Sequence, residues 1–499
     1  MFYKLNFRVI FQLLGVLLTF NGALMFLAVG MSWLTQDQST LPLLKASVGV
    51  LLVGILLLII FRGVQPQIQK REGYLVVTLG WLAMTLTGML PYLVTGSVPN
   101  ISYAFFETMS GYTTTGATIL TDIESLPKGL LFWRSITHWI GGMGIIVLTI
   151  AILPILGIGG MQLFAAEVPG PNSDKLHPRI TDTAKRLWLL YFGYTLVETL
   201  LLSLAGMSFF DAINHAMSTL STGGFSTKNN SIAFWNDQPL IQYIIMVFMV
   251  VAGANFVLSY FGFTGSFRKV FSDIEFKYYL WFIGIFTLFV CSYFLIQNII
   301  PGALNSHPQV WGSSESAFRH ALFQVVSILT TTGFVTADYT SWAPILTLIF
   351  FGLMFVGGSA GSTSGGIKVV RHLLMIRSGI LEFKRALHPN AILQVRYNNR
   401  VVNEGIVQNI LGFFILYLLS FIIGTLGFAM MGFDFESSVG VAASSLGNVG
   451  PALGIFGPSE NYTHLPTIGL WWSSFLMLLG RLELFTVLIL LTPYFWRKS

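Results

Sequence analysis

The 499-residue sequence predicts an all-α polytopic membrane protein, with four pseudo-symmetric repeats around one axis and two extra N-terminal transmembrane helices. Three observations carry this. Hydrophobic residues make up 54% of the chain and charged residues only 10%, too few to cover a soluble globule with hydrated side chains. Apolar runs of membrane-spanning length recur from end to end. One short Ser/Thr/Gly pattern returns four times at nearly constant spacing, and such repetition dictates architecture.

Taken in order, the first apolar runs cover about 9–34 and 41–61. The first is too long for the apolar region of a secretory signal and has no small-residue cleavage site after it, so the two read as an uncleaved helix pair within a leading unit, 1–70. Repeats follow at 71–165, 166–268, 269–395 and 396–499. Their long apolar runs lie at 74–97 and 132–160, 184–207 and 237–265, 276–300 and 343–380, and 402–431 and 467–496. The segments between, such as 209–220 and 317–329, are too short to cross as helices and predict re-entrant half-helices. Ten crossings result, which places both termini on one side.

That side is assigned by Lys and Arg, which cytoplasmic loops retain. All but six of the 27 fall on one set of segments, both termini included; the exceptions are Lys45, Lys128, Arg134, Lys228, Arg319 and Arg481. Both termini are therefore predicted to be cytoplasmic. The net charge of +6 reads as a topology signal, and no basic-aromatic module for nucleic acid is present. Cys291, the one cysteine, sits in an apolar run, so neither a disulfide nor a thiol metal site is expected.

The repeated pattern reads FETMSGYTTTGAT, NHAMSTLSTGGFST, FQVVSILTTTGFVT and VAASSLGNVGPA. Anchored on Gly116, Gly224, Gly333 and Gly450, the four lie 108, 109 and 117 residues apart. Six residues before each anchor stands Ser110, Ser218, Ser327 or Ser444, and three before it Thr113, Ser221, Thr330 or Gly447. The repeating unit is thus helix, half-helix, pore loop, helix. Extended backbone at membrane depth is tolerated only where protein shields it or it lines a cavity. Four such loops about one axis would present carbonyl rings able to replace the hydration shell of a monovalent cation. The anchor glycines permit backbone angles that turn successive carbonyls the same way, and hydroxyls of Thr114, Thr115, Thr222, Thr331 and Thr332 can buttress the cage or add to it. Half-helices ending at the loops aim their negative ends at the centre, which favours a cation.

Two further features stand out. The stretch GGSAGSTSGG, 357–366, has five glycines in ten residues and should unwind the run that contains it. Arg481 lies in the middle of the last apolar span, where a charge is costly unless it faces a polar cavity, and Glu483 is placed to face elsewhere.

The loops TTTGA at Thr113–Ala117, STGGF at Ser221–Phe225, TTTGF at Thr330–Phe334 and GNVGP at Gly447–Pro451 resemble the four filter loops of the Trk/Ktr/HKT cation transporter superfamily. The extra N-terminal pair makes the chain most similar to its bacterial TrkH/TrkG branch. The resemblance implies K+ uptake across the bacterial cytoplasmic (inner) membrane, with K+ as the transported ion and no other cofactor. It implies a filter formed by Thr114, Thr115, Gly116, Thr222, Gly223, Gly224, Thr331, Thr332, Gly333, Asn448, Val449 and Gly450. Gly116 implies K+ preference, since Ser there goes with Na+ in the superfamily. The fourth loop, with Asn448 and Val449, departs from strict symmetry.

The resemblance also implies a mobile gate at 357–366, with Gly357, Gly358, Gly361, Gly365 and Gly366, and an electrostatic barrier at Arg481. It implies a homodimer and a cytoplasmic nucleotide-binding regulatory subunit of the TrkA type, for which the basic loop 368–400 is the expected contact. Channel-like flux and symport with H+ or Na+ both stay open.

Competing readings fare worse. An H+- or Na+-coupled secondary transporter of another small solute would carry two inverted repeats and midplane carboxylates, whereas the repeats here are four and parallel. A receptor or scaffold would need a polar domain, and no segment is long enough. Gly357 to Gly361 fits the G-x-S-x-G pattern of a hydrolase, but its flanks are membrane helices rather than a strand and a soluble helix. Ile367 stands where a phosphate-binding loop requires Lys. No enzyme is expected.

Overall fold

The computed structural model describes residues 5–63, 70–147, 176–297, 310–391, 393–398 and 400–497. The chain opens with a helical hairpin, α1 (Phe7–Thr35) and α2 (Thr40–Ile60). Close approach of the two is a matter of small residues: a Cβ on Gly22 would lie 2.6 Å from the Leu51 nitrogen, and one on Gly54 2.4 Å from the Thr19 nitrogen. Asp37 in the connecting turn accepts hydrogen bonds from the Ser39 and Gly129 backbone nitrogens, tying the hairpin to the first repeat.

The first repeat comprises α3 (Lys70–Gly88), α4 (Leu90–Val94), the half-helix α5 (Ile101–Tyr112) and α6 (Lys128–Val147). The remainder of the predicted run 132–160 lies outside the described residues. The second contains α7 (Leu176–Leu204), the half-helix α8 (Phe209–Leu220), α9 (Pro239–Gly253) and α10 (Phe256–Phe263). The third contains α12 (Ile274–Ile296), preceded by the short α11 (Phe267–Ser272), then the half-helix α13 (Ser313–Leu329), α14 (Pro344–Leu353) and α15 (Val369–Leu387). A hairpin of β1 (Arg396–Tyr397) and β2 (Arg400–Val401) leads into the fourth, with α16 (Glu404–Met430), the half-helix α17 (Phe435–Gly447), α18 (Thr467–Arg481) and α19 (Phe485–Leu488).

Among the described residues six helices are long and apolar enough to cross a membrane, or eight if each of two bent pairs is one span. The two remaining predicted crossings are α6, which carries Lys128, Arg134 and His138, and the interrupted path through α14 and α15. The expected unwinding at 357–366 is found there: helix stops at Leu353 and resumes at Val369.

Three expectations need correction. The run 237–265 is not one helix but bends by 113° between α9 and α10. Asn255 sits at the bend and caps α10, accepting from the Val257 nitrogen at 2.8 Å. The last run bends by 112° after Arg481, so this arginine ends α18 rather than occupying mid-helix. The basic stretch 368–400 is a helix followed by a hairpin rather than a loop, and Lys368 and Arg371 are buried in it.

Capping residues start three of the half-helices: Asn100, Ser208 and Asp434 each accept backbone N–H bonds from the first turn. Hydrogen bonds from Ser437 hold the Asp434 carboxyl below its ordinary value. Half-helix α5 packs on α18 of the fourth repeat, α8 on α6 of the first, and α13 on α9 of the second. These three half-helices therefore each lean on the repeat before them in rotation around one axis. Large apolar side chains such as Leu200, Leu288, Leu418 and Phe383 point outward; in water such a surface would aggregate, and in lipid it is the proper exterior.

Candidate functional site

Each half-helix ends in the same way. The nitrogens of Thr115, Gly223, Thr332 and Val449 donate to the carbonyls of Ser110, Ser218, Ser327 and Ser444 at 2.9, 2.8, 2.8 and 3.0 Å. One residue earlier, Thr114, Thr222, Thr331 and Asn448 take φ of 51°, 53°, 56° and 54°. This is the left-handed helix ending usually made with Gly. Threonine is β-branched and strained there by roughly 1–3 kcal/mol, so three such residues mark a site where geometry outranks stability. Asn448, the apparent exception of the fourth loop, tolerates this region better than Thr does. Its departure in sequence preserves the backbone.

The anchor glycines also share a conformation, with φ of 81°, 82°, 77° and 102° at Gly116, Gly224, Gly333 and Gly450. Their Cα faces abut the next loop in rotation. A Cβ at Gly116 would lie 2.1 Å from the Gly223 carbonyl oxygen, and one at Gly224 2.1 Å from that of Thr332. One at Gly333 would meet the Val449 oxygen at 2.1 Å, and one at Gly450 the Thr115 oxygen at 2.6 Å. First to second, second to third, third to fourth and fourth to first, the contacts form a closed ring. All twelve predicted filter residues are thus brought together around one axis.

Most of the loop hydroxyls are engaged within the wall. Thr113, Ser221 and Thr330 donate to the carbonyls of Met109, Met217 and Val326 at 2.7, 2.8 and 2.7 Å, capping the last turns. Thr115 accepts from the Asn448 side chain at 3.0 Å, and Thr222 donates to the Ser221 carbonyl at 2.6 Å. Thr332 pairs with Thr330 at 2.8 Å. These hydroxyls brace the loops; the backbone oxygens and the Thr114 hydroxyl, which is buried without a hydrogen-bond partner, are the groups left free to meet an ion.

Beneath the ring lies the glycine-rich stretch 357–366, and it is tethered on every side. The Thr363 hydroxyl donates to Leu220, the last residue of α8, at 3.0 Å, and the Gly365 nitrogen donates to the Thr331 hydroxyl at 2.7 Å. Ser359 donates from its nitrogen to the Gly253 carbonyl at 2.8 Å, and Phe256 to that of Gly361 at 3.1 Å. Close packing explains the glycines: a Cβ at Gly357 would sit 2.1 Å from the Gly365 oxygen, one at Gly358 2.5 Å from that of Gly253, and one at Gly365 2.4 Å from that of Gly447. Gly361 and Gly366 have φ of 74° and 62°.

Arg481, 2% exposed, donates to the Thr363 carbonyl at 2.8 Å and to that of Gly141 in α6 at 3.0 Å. Glu483 does not serve it but pairs with Arg371 at the start of α15. Ser359 of the G-x-S-x-G pattern lies in this loop, without the strand-to-helix elbow that a nucleophile needs.

Several buried ionisable side chains went unread in the sequence. Glu275, in the first turn of α12, accepts from the nitrogens of Ala360 at 2.7 Å and Val370 at 3.2 Å, joining the loop to the first turn of α15. Glu107 in α5 pairs with Arg134 in α6 at 2.8 Å. Glu198 is 0% exposed within α7. An acidic residue inside an apolar run was the available signal for Glu198.

Comparison with known proteins places this architecture. The TrkH family profile, described as a cation transport protein, matches residues 44–497. The Trk system potassium uptake protein TrkH of Escherichia coli (strain K12) is 40% identical over 500 residues, covering 99% of this chain and 100% of its own length. The Trk system potassium uptake protein TrkG of the same strain is 36% identical over 437 residues, 87% of each chain. The crystal structure of the potassium transporter TrkH from Vibrio parahaemolyticus superimposes with a TM-score of 0.88 at 36% identity, covering 99% of this chain and 100% of that one. These relatives are transport proteins, not enzymes. The chain belongs to the TrkH family of cation transport proteins.

Proposed function

We propose that this protein takes up K+ across the bacterial cytoplasmic membrane through a filter of backbone carbonyls contributed by its four pore loops. The closed ring of anchor glycines, each seated against the carbonyl of the next loop, is the observation that carries this reading. Four carbonyls at one level suit a dehydrated monovalent cation, and half-helix C-termini at 112, 220, 329 and 447 add negative potential. The names borne by the relatives, potassium uptake proteins, agree with it. In this reading 357–366 is the gate, Arg481 its electrostatic latch, and both termini are cytoplasmic. Regulation comes from a TrkA-type nucleotide-binding subunit docking on the cytoplasmic end of α15, where Lys384 and Arg385 lie, and the protein works as a homodimer.

Growth of a bacterium lacking K+ uptake tests the filter. The wild-type chain is expected to restore growth on low K+. Gly116→Ser places its Cβ 2.1 Å from the Gly223 carbonyl oxygen, so the first and second loops must move apart to admit it and the ring widens on that side. The expected result is continued uptake with K+ over Na+ preference reduced by about tenfold, equivalent to ~1.4 kcal/mol. Equal preference in both proteins would remove Gly116 from the filter.

One observation favours a coupled mode as the second reading: Glu198 is wholly buried at membrane depth, and no cation pairs with it among the described residues. Under the channel reading, Glu198→Gln leaves the reversal potential of reconstituted K+ currents on the K+ equilibrium value with or without a pH gradient. A wild-type reversal potential that follows the pH gradient, and ceases to do so in Glu198→Gln, would establish coupling instead.

A further inference from the structure

Two residues beyond each anchor glycine stand Thr118, Ser226, Val335 and Ala452, and the carbonyl of each accepts a hydrogen bond from the preceding repeat. The Tyr462 nitrogen donates to Thr118 at 2.8 Å, and Arg134 Nη1 to Ser226 at 2.9 Å. The Ala233 nitrogen donates to Val335 at 3.0 Å, and the Tyr339 hydroxyl to Ala452 at 3.3 Å. Fourth to first, first to second, second to third and third to fourth, the four bonds close a second ring outside the first. Carbonyls engaged in this way are aimed at protein donors and are held away from an ion on the axis.

Only one link in this outer ring is charged. Arg134, 2% exposed, donates Nε to Glu107 at 2.8 Å while Nη1 reaches Ser226, and its guanidinium lies 3.5 Å from the centre of the Phe225 ring. Glu107, 0% exposed, accepts in turn from the Thr118 hydroxyl at 2.9 Å and from the Ile119 nitrogen at 3.0 Å. A single ion pair therefore fastens the outgoing strands of the first and second loops to one another. Charge-assisted bonds are about twice as strong as neutral ones and the planar fork fixes direction as well as distance, so this is the stiffest link of the four.

We infer that the outer ring of four inter-repeat hydrogen bonds sets the width of the filter, with Glu107 and Arg134 as positioning residues that determine ion specificity. Neither residue lies among the predicted filter positions. The inference rests on the four-loop filter proposed above. A filter discriminates between alkali cations only to the extent that its oxygens resist moving inward or outward, and the outer ring supplies that resistance through the backbone.

The test uses full-length protein reconstituted in liposomes, with K+ and Na+ uptake measured side by side and protein amount determined in the same vesicles. In Glu107→Gln/Arg134→Gln both charges leave together, so no unpaired ion stays buried. Flux is expected to persist while the K+ to Na+ uptake ratio falls about tenfold, in line with losing hydrogen bonds to charged groups. Arg134→Lys keeps the charge but not the fork, and its ratio should fall as well. Tyr339→Phe removes one hydroxyl on the far side of the ring with almost no change of shape, and should lower the ratio by a few-fold.

A role limited to folding would change the amount of protein and leave the ratio alone. A wild-type ratio in the double variant, or in Tyr339→Phe if the double variant does not reach the membrane, overturns the inference. Failure of the filter reading is distinguishable, because the wild-type protein would then show no K+ preference to lose.

Discussion

Replacing Gly333 with alanine abolishes K+ uptake while the protein still reaches the membrane. The new methyl would lie 2.1 Å from the Val449 oxygen and 2.9 Å from Cδ of Pro451, so it is blocked by a carbonyl and by a rigid ring at once. Residue 333 also sits at a φ of 77°, a conformation an alanine adopts at a cost of roughly 1–2 kcal/mol. The third and fourth loops must separate to admit the side chain, and the carbonyl ring opens on that side. Gly116 differs in that its Cβ would meet only backbone atoms of Gly223 and Gly224, with no proline ring beside the carbonyl. Gly352→Ala is the matched control: it lies in α14 with nothing within 4 Å of its Cβ, and uptake should be unchanged. Uptake of radiolabelled rubidium per unit of membrane protein decides the matter. Wild-type uptake by Gly333→Ala would mean that the glycine ring does not carry the ion.

Why the glycines could be found in the sequence, and much else could not, follows from what repetition encodes. Ser110 and Gly116 recur with their counterparts at fixed offsets because the helix ending between them demands one residue count, and a count survives in sequence. The strained conformation of Thr114, Thr222 and Thr331 does not, since threonine gives no sign of a positive φ. Asn448 looked like a break in the pattern and is a different solution to the same backbone requirement. The half-helices expected at 209–220 and 317–329 were legible from length against the membrane, the first to the residue and the second starting four residues earlier, at Ser313. The bends were not. Apolar runs carry no record of direction, although Asn255 after Gly253 is a helix-start signal inside the run. Buried pairs such as Glu107 with Arg134 join positions far apart in sequence and obey no period, so only the fold brings them into view. The tethering of 357–366 belongs to the same class. Glycine content predicted an unwound segment, but the partners that hold it, Glu275, Thr331 and Leu220, come from three different elements.

Those tethers decide what a substitution at Arg481 should do. The guanidinium is both a charge below the ring and a clasp joining Thr363 of the loop to Gly141 of α6, and the two roles separate experimentally. A cation passing about 8 Å from a fixed positive charge is opposed by ~2 kcal/mol at an effective dielectric constant of about 20, roughly a thirtyfold difference in occupancy. Arg481→Gln removes that opposition along with most of the clasp, so uptake should rise by about tenfold or more, with leak in the absence of any regulator. Arg481→Lys retains the charge but presents a single ammonium in place of the fork that spans two carbonyls. If the barrier is electrostatic, the lysine variant stays near wild-type flux. If the clasp dominates, both variants leak equally, because the loop is freed in each. Glu275→Gln supplies the complementary case, weakening the hold on Ala360 and Val370 without touching the charge at 481. A lysine variant as leaky as the glutamine variant, matched by leak in Glu275→Gln, would assign the closed state to loop tethering and leave the charge of Arg481 without a part in it.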